Sequence, residues 1–446
     1  MNMKSIKIFW NHVRFCCAAC LLAMAVAGRA QTDSCRNHLS AGLELMTQGE
    51  VRGGGLPKNF DDKVQQEDHA NFLLGRTRIN VNYQRPGLEA KVVVQNMAVW
   101  GMQNNKAVNL NEGWARLSAP FGGFLQLGRV ALSYDDERIL GPDDWAMAAY
   151  SHDVLRLGYE GHGHKAHAAL AYNQNMENMT TGTYYVDGAQ PYKSMQMVWY
   201  HYDVPTFPLG ASLMLMNIGM QAGSKEKDAH TENQQLVGGY LNFHPRRWTA
   251  EASYYRQMGK NEYGIKLQAW MVSGKVAYNP TDNYGFNVGY EYLSGDDYVL
   301  IIQPGVIGLV KHDVYKGFSP IYGSHHKFYG IMDYFYESAR SQGFSPGLQN
   351  AYAGGFYKPV PKLTLKGAYH YLASATKLID LNRTLGHNID LSASYIFSKD
   401  IRLSAGFSYM SGTKTMDALK QNTGSKSVRW GWCTLTISPA IVKTKW

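Results

Sequence analysis

No run of apolar residues in the 446-residue sequence is long enough to be a membrane-spanning helix. The chain has no Pro/Ser-rich linker, no low-complexity segment and no shift of composition, which argues against a string of tethered domains. Cysteine is scarce. Of five, Cys16, Cys17 and Cys20 fall in the first 30 residues, leaving Cys35 and Cys433. Two cysteines make neither a disulfide scaffold nor a four-cysteine zinc site; one bridge between the chain ends and two idle thiols both fit. Strong charge of one sign is missing as well. Four of the 44 Lys and Arg (Lys4, Lys7, Arg14, Arg29) lie in the first 30 residues, leaving 40 against 35 acids, or +5. That balance argues against a nucleic-acid partner, which calls for a concentrated basic patch.

The first 30 residues have the make-up of a secretory signal peptide. Lys4, Lys7 and Arg14 form a basic n-region, FCCAACLLAMAVAG supplies the apolar stretch, and Gly28-Arg29-Ala30 sets small residues before Gln31. Cys17-Ala18-Ala19 is a poor lipoprotein box ahead of Cys20. Residues 31–446 are then expected to form one large β domain.

What the mature chain has in abundance is alternation. In KLTLKGAYHYL (362–372), Leu363, Leu365, Tyr369 and Tyr371 share one face, opposite Thr364, Lys366 and His370. IDLSASYIF (389–397) and RLSAGFSYM (402–410) repeat the pattern. Strict period-two patterning over about ten residues with aromatic ends suits a transmembrane barrel strand. A secreted β-sandwich or β-helix is the competing reading, but sandwich strands are usually about five or six residues.

Turn chemistry counts the strands. RPG (85–87), PFGG (120–123), GHGHK (161–165), PTFPLG (205–210), PRR (245–247), NPTDN (279–283), KPVPK (358–362) and SKD (398–400) are short connections. Outer-membrane barrels alternate short periplasmic turns with long outer loops, so each tight turn follows an even-numbered strand. The strand entering NPTDN is then the twelfth and the one entering KPVPK the fourteenth. Residues 295–348 hold no net crossing and form one long outer loop that can fold inward. The expected fold is all-β: a single closed antiparallel transmembrane barrel of about eighteen strands, large enough for an aqueous channel.

One stretch, GRVALSYDDERILGPDDW (128–145), ends the fifth strand and leads to the sixth. With Gly128, Arg129, Tyr134, Asp135, Arg138, Gly141, Pro142, Asp144 and Trp145, it resembles the signature of the alginate export family of outer-membrane porins. Asp153 and Arg156 in HDVLRLGY continue the likeness, as do YEYLSGDD (290–297), FSPIYGSHHKFYGIMDYF (318–335) and LGHNIDLSASYIF (385–397), in order. Val130, His152 and Val154 depart from the family pattern. The resemblance implies an eighteen-stranded monomer with a basic pore that passes an anionic polysaccharide outward.

Alternation puts Arg76, Arg78, Lys91, Arg116, Arg156, Lys366 and Arg402 on the lumen side, with acids Glu44, Glu89, Glu112, Glu251, Glu291 and Asp390. A ladder of arginines, each holding a carboxylate by two hydrogen bonds, could hand a polyanion along. Equally, these charges could pair across neighbouring strands. Arg129 shares the parity of Leu125 and Leu127, so it lines the pore only if a bulge near Gly128 reverses the pattern; otherwise it sits at the rim. Asp135, Arg138 and Asp144 are expected to lock the pore mouth by salt bridges.

Catalytic and metal readings are thinner. The five acids of 135–144 lack the spacing and central glycine of a calcium loop. His162, His164 and His167 have no fourth ligand nearby. Ser151-His152-Asp153 alternate faces and cannot form a relay. No cofactor is expected. The leading function is a passive channel for an anionic or polar solute, a small anion or an oligosaccharide. A receptor or structural barrel with a plugged lumen, and an outer-membrane hydrolase, are the alternatives. Expected partners are membrane lipid and lipopolysaccharide, the barrel-assembly machinery, and no nucleic acid.

Overall fold

A computed structural model describes residues 37–54, 69–102, 108–174, 191–223, 228–296, 300–303, 306–308, 314–335, 345–378, 380–420 and 427–446. The proposed signal peptide and Cys35 lie outside these residues. Eighteen strands close an antiparallel barrel. They are β1 (His38–Gly53), β2 (His69–Arg85), β3 (Leu88–Val99), β4 (Val108–Ser118), β5 (Gly123–Val130) and β6 (His152–Gly161). Next come β7 (His164–Tyr172), β8 (Ser194–Asp203), β9 (Leu209–Ala222), β10 (His230–Phe243), β11 (Trp248–Lys260) and β12 (Lys266–Tyr278). The last six are β13 (Tyr284–Leu293), β14 (Leu348–Val360), β15 (Leu363–Ala373), β16 (Thr384–Ser398), β17 (Ile401–Gly412) and β18 (Ser427–Ile437, resumed over Ala440–Lys445).

Each strand pairs with its sequence neighbour, and β1 pairs with both parts of β18 to close the ring. Pro439 has no amide hydrogen to give, but its carbonyl accepts from Leu43 N at 3.1 Å; the ladder shifts by one residue just beyond it, between Gly42, opposite Ala440, and Ala41, opposite Val442. The eighteen strands and the even-to-odd placement of all eight tight turns agree with the count from turn chemistry. Between β13 and β14, the described residues hold only short pieces: a hairpin (Leu300–Gln303 with Val306–Gly308), Val314–Tyr315 and a single 3-10 turn, His325–Lys327.

Alternation sorts the wall into two faces. Leu213, Leu215, Phe286, Val288, Ile389 and Leu391 are exposed large apolar residues at every second position, the belt a bilayer requires. The other face departs from expectation. On the outer halves of β7 to β12, the inward side chains are themselves apolar: Ala169, Met195, Met197, Met214, Met216, Ile218, Leu236 and Met271. They do not face water. They pack against Leu132, Tyr134, Ile139 and Leu140 of the β5–β6 loop and against Phe318 and Tyr322 of the β13–β14 loop. Burying each of Leu132, Ile139 and Leu140 contributes about 1.5–3 kcal/mol. A hydrophobic core thus sits inside the barrel and holds two loops against one wall.

The two loops are joined along their backbones. Gly141 N donates to Tyr322 O (2.9 Å), Tyr322 N to Ile139 O (3.1 Å) and Ser324 N to Glu137 O (2.9 Å). The approach is close enough that a Cβ at Gly323 would stand 2.2 Å from Arg138 O, and one at Gly141 2.3 Å from Ser324 Oγ. Asp135 (φ 55°) and Asp143 (φ 43°) adopt the left-handed region that aspartate tolerates better than most residues. Part of the acidic run therefore serves the path of the backbone.

Candidate lumen site

The inward loops leave a passage against β11 to β16. A cavity of about 390 Å³ lies there between the wall and residues 326–331 of the β13–β14 loop. Arg138 stands at its edge, 4% exposed, and ties three elements together. Its Nη1 donates to Glu291 Oε1 on β13 (2.9 Å) and to Tyr329 OH (3.2 Å), while Nε reaches Asp136 (3.2 Å). The guanidinium also lies 3.9 Å over the Phe328 ring. Burial opposes its charge, but Glu291 and then Asp136 outweigh that and hold its pKa well above the ordinary value. Asn350 Nδ2 satisfies the second Glu291 oxygen at 2.8 Å. Asp390 on β16 accepts from Ile331 N at 3.0 Å and so pins the far end of the same loop segment.

Asp144 is held on the opposite side. Arg78 Nη1 donates to its Oδ1 at 2.5 Å, and Arg76 Nη1 bonds the carbonyls of Asp144 (3.0 Å) and Ala146 (3.2 Å). Both arginines face the lumen from β2, as alternation requires, and both approach Glu44 on β1. They anchor the β5–β6 loop. Lys91 pairs with Glu112 (2.6 Å), and Arg116 with Glu160 (3.0 Å) while covering the Phe124 ring at 3.8 Å. Cross-strand pairing therefore occupies four of the expected ladder.

Three inward cations have no carboxylate partner among the described residues. Arg156 meets only the Tyr134 hydroxyl (3.2 Å) and the Phe124 face. Lys366 on β15 and Arg402 on β17 are exposed to the lumen. The register sets Lys366 beside Ser392, and Ser392 beside Gly406, four residues above Arg402. Strand rise makes that offset about 13 Å, with Arg402 nearer the periplasm.

Two expectations fail. Arg129 does not line the pore. The β5–β6 register is continuous, Gly128 opposite Val154 and Arg129 opposite Asp153, so no bulge reverses the parity. The guanidinium stays on the Leu127 face at the outer rim, bonded twice to Asp153 (2.8 and 2.7 Å) and once to Leu110 O (3.2 Å). A matched carboxylate on the same face is what lets an arginine sit there. Asp135 makes no salt bridge among the described residues. Its carboxylate accepts from Ser212 Oγ (2.6 Å), Trp199 Nε1 (3.0 Å) and Tyr255 OH (3.1 Å), three neutral donors on β9, β8 and β11. Burial pushes its carboxyl above the ordinary value, and the three donors only partly offset this.

A second titratable group lies between the loops. Asp143 is buried, its backbone amide bonded to Ser324 Oγ at 2.9 Å. Burial, then the Asp333 carboxylate, pushes its pKa up to about 6, against the pull of His326. His326 stacks on Trp145 at 4.1 Å and bonds Asp333 at 2.9 Å. Sequence reasoning missed Asp136, Phe328, Tyr329 and Lys327, which pairs with Glu137. The available signal was the density of aromatics in FSPIYGSHHKFYGIMDYF, too high for a solvated loop. Among the described residues, no group of three or more His, Cys, Asp or Glu could hold a metal ion. Cys433 is exposed and forms no disulfide among the described residues.

No protein-family model and no curated protein sequence matches the chain. Solved structures do. Pseudomonas aeruginosa OccK5 (OpdH) superposes with a TM-score of 0.59 at 10% identity, over 91% of this chain and 98% of that one. OccK9 (OpdG) of the same organism gives 0.59 at 12% identity, over 90% and 98%. OccK2 (OpdF) gives 0.58 at 12%, over 91% and 98%. What they share with this chain is the fold, a closed eighteen-stranded antiparallel barrel. At 10–12% identity the likeness is one of fold and carries no assignment to the alginate export family.

Proposed function

We propose that this barrel is a passive channel for small polar solutes, with a lumen narrowed by two docked loops and a preference for anions. The observation that carries the reading is the pair of exposed, unpartnered lumen cations Lys366 and Arg402, on the wall the loops leave clear. Arg156 adds a third cation without a carboxylate. Guanidinium and ammonium groups spaced along a wetted wall attract an anion without trapping it. The cavity charges at Glu251 and Glu291 are neutralised locally by Lys275 (3.1 Å) and Arg138, so they offer a cation little. The resemblance to alginate exporters supports a finer version, in which the solute is a uronate-bearing carbohydrate.

Planar-bilayer conductance under a salt gradient tests the channel. Anion selectivity is expected, and the Lys366→Gln/Arg402→Gln variant should move the reversal potential toward zero. Uronate oligosaccharides should block the wild-type pore more strongly than neutral ones of equal length. Cation preference in the wild type would refute the reading. One observation favours a second reading: the hydrophobic core inside the barrel suits a plugged receptor or structural barrel. Absence of any conductance in the folded protein would select it.

A further inference from the structure

On the outside of the barrel, a cleft of about 360 Å³ opens at the outer rim, between the β15–β16 loop and the outer ends of β12 and β13. Its wall side is aromatic. Trp270 and Tyr292 share the parity of the exposed Val272 and Tyr290, so they face lipid, and their rings stack at 4.8 Å. Ser294 fixes this corner, its Oγ accepting from Trp270 N (2.8 Å) and donating to Lys316 O (2.7 Å). Above the rings stand Lys316, Lys377 and Arg383, and among the described residues no carboxylate lines the cleft. The side chains of Lys377 and Arg383 are exposed and bond to no described residue.

That arrangement is the reverse of the lumen, where most inward cations carry their own acids. Two cations that form no ion pair among the described residues, set over an aromatic step and then a lipid-facing wall, are complementary to an amphiphile. We propose that this cleft binds a phosphorylated glycolipid of the outer leaflet. Arg383 and Lys377 hold the phosphate, the guanidinium through paired hydrogen bonds. The sugar ring lies on the Trp270–Tyr292 stack, and the acyl chains run down past Val272 and Val288. A free phosphate would engage the cations alone and leave the aromatic step unused. Aromatic side chains with one wet edge are suited to such a boundary. The site lies outside the lumen and does not depend on whether the lumen conducts.

The test uses the full-length barrel folded in non-ionic detergent, with bound glycolipid read by native mass spectrometry. Three probes are titrated: a bisphosphorylated lipid A, its dephosphorylated form, and inorganic phosphate as competitor. Wild type should bind the phosphorylated glycolipid in preference to the dephosphorylated one. Lys377→Gln/Arg383→Gln should weaken that binding about twenty-five-fold, at roughly fivefold per cation. Lys377→Arg/Arg383→Lys should retain most of it. Equal binding of the two glycolipids by wild type would overturn the proposal without any variant. So would unchanged binding by the Gln double variant, or displacement of the glycolipid by phosphate at equal concentration, which marks a plain anion site. Channel conductance of the Gln double variant should stay at the wild-type value.

Discussion

Replacing Arg138 by methionine should undock the inward loops and raise conductance. The side chain is 4% exposed and its partner Glu291 2%, so neither charge has water to fall back on. With Arg138 gone, Glu291 keeps only Asn350 as a described donor, and Asp136 loses its close cation. Breaking one half of a buried pair costs about 3–5 kcal/mol, whereas replacing both halves by apolar groups is often neutral. The cost falls on the docked state alone, because undocking lets water reach both Glu291 on β13 and Asp136 on the loop. The docking equilibrium should therefore shift roughly a hundred- to several-thousand-fold. Single-channel recordings should show a larger or more frequently open state, and limited proteolysis should cut within 131–151. Arg138→Met/Glu291→Met should recover the larger part of wild-type behaviour, since it removes the stranded acid. Wild-type conductance together with wild-type protease resistance in Arg138→Met would refute the reasoning.

Three further outcomes are expected. Asp143 has its pKa raised to about 6 in the docked state, where burial first, and then Asp333, Asp144 and Glu137, oppose its charge and His326 favours it. The docked form thus binds the proton more tightly, so docking strengthens as pH falls through about 6 and weakens above it. Conductance should drop between pH 7.5 and 5, and Asp143→Asn should remove that part of the dependence. Arg129→Ala should lower thermal stability while leaving reversal potential and conductance unchanged, because its pair with Asp153 lies on the outer face; a change in ion selectivity would contradict this placement. Asp135→Ala strands the donors of Ser212, Trp199 and Tyr255, at about 1–3 kcal/mol for each left buried and unpaired. It should speed proteolysis of 131–151 more than Ser212→Ala, which removes a single donor; equal rates would count against the three-donor description.

The barrel itself was legible because its rules are local. Period-two patterning identifies the strands, and the parity of tight turns fixes the count even across residues 295–348. The docked loops follow a longer-range logic. MQMVWYHY in β8 and SLMLMNIG in β9 carry apolar residues on both faces, which a strand between lipid and water does not need. That double-sided apolarity was the sign of an interior partner, and alternation read one strand at a time passes over it. The fate of the cations was hidden for another reason. Arg76 and Arg78 look alike as ladder members, yet both are claimed by Asp144, 66 or more residues away, through a loop whose path no pattern gives. Arg129 is the converse case, where simple parity was right and an invoked bulge is absent.

The seam between β1 and β18 has a consequence for how the chain reaches this form. His38 lies opposite Lys445, so the last residues must meet nearly the first ones before the ring exists. Joining chain ends some four hundred residues apart costs about 5 kcal/mol in loop-closure entropy alone. The other seventeen pairings are hairpin-like steps between successive strands. Until the final strand arrives, β1 presents sixteen residues of unpaired backbone, a template for pairing with any other extended chain. The same contact that makes the finished ring edgeless is therefore its kinetic bottleneck, and mutations at Pro439 or along Leu45–Gly53 should change the yield of folded barrel more than its stability once closed.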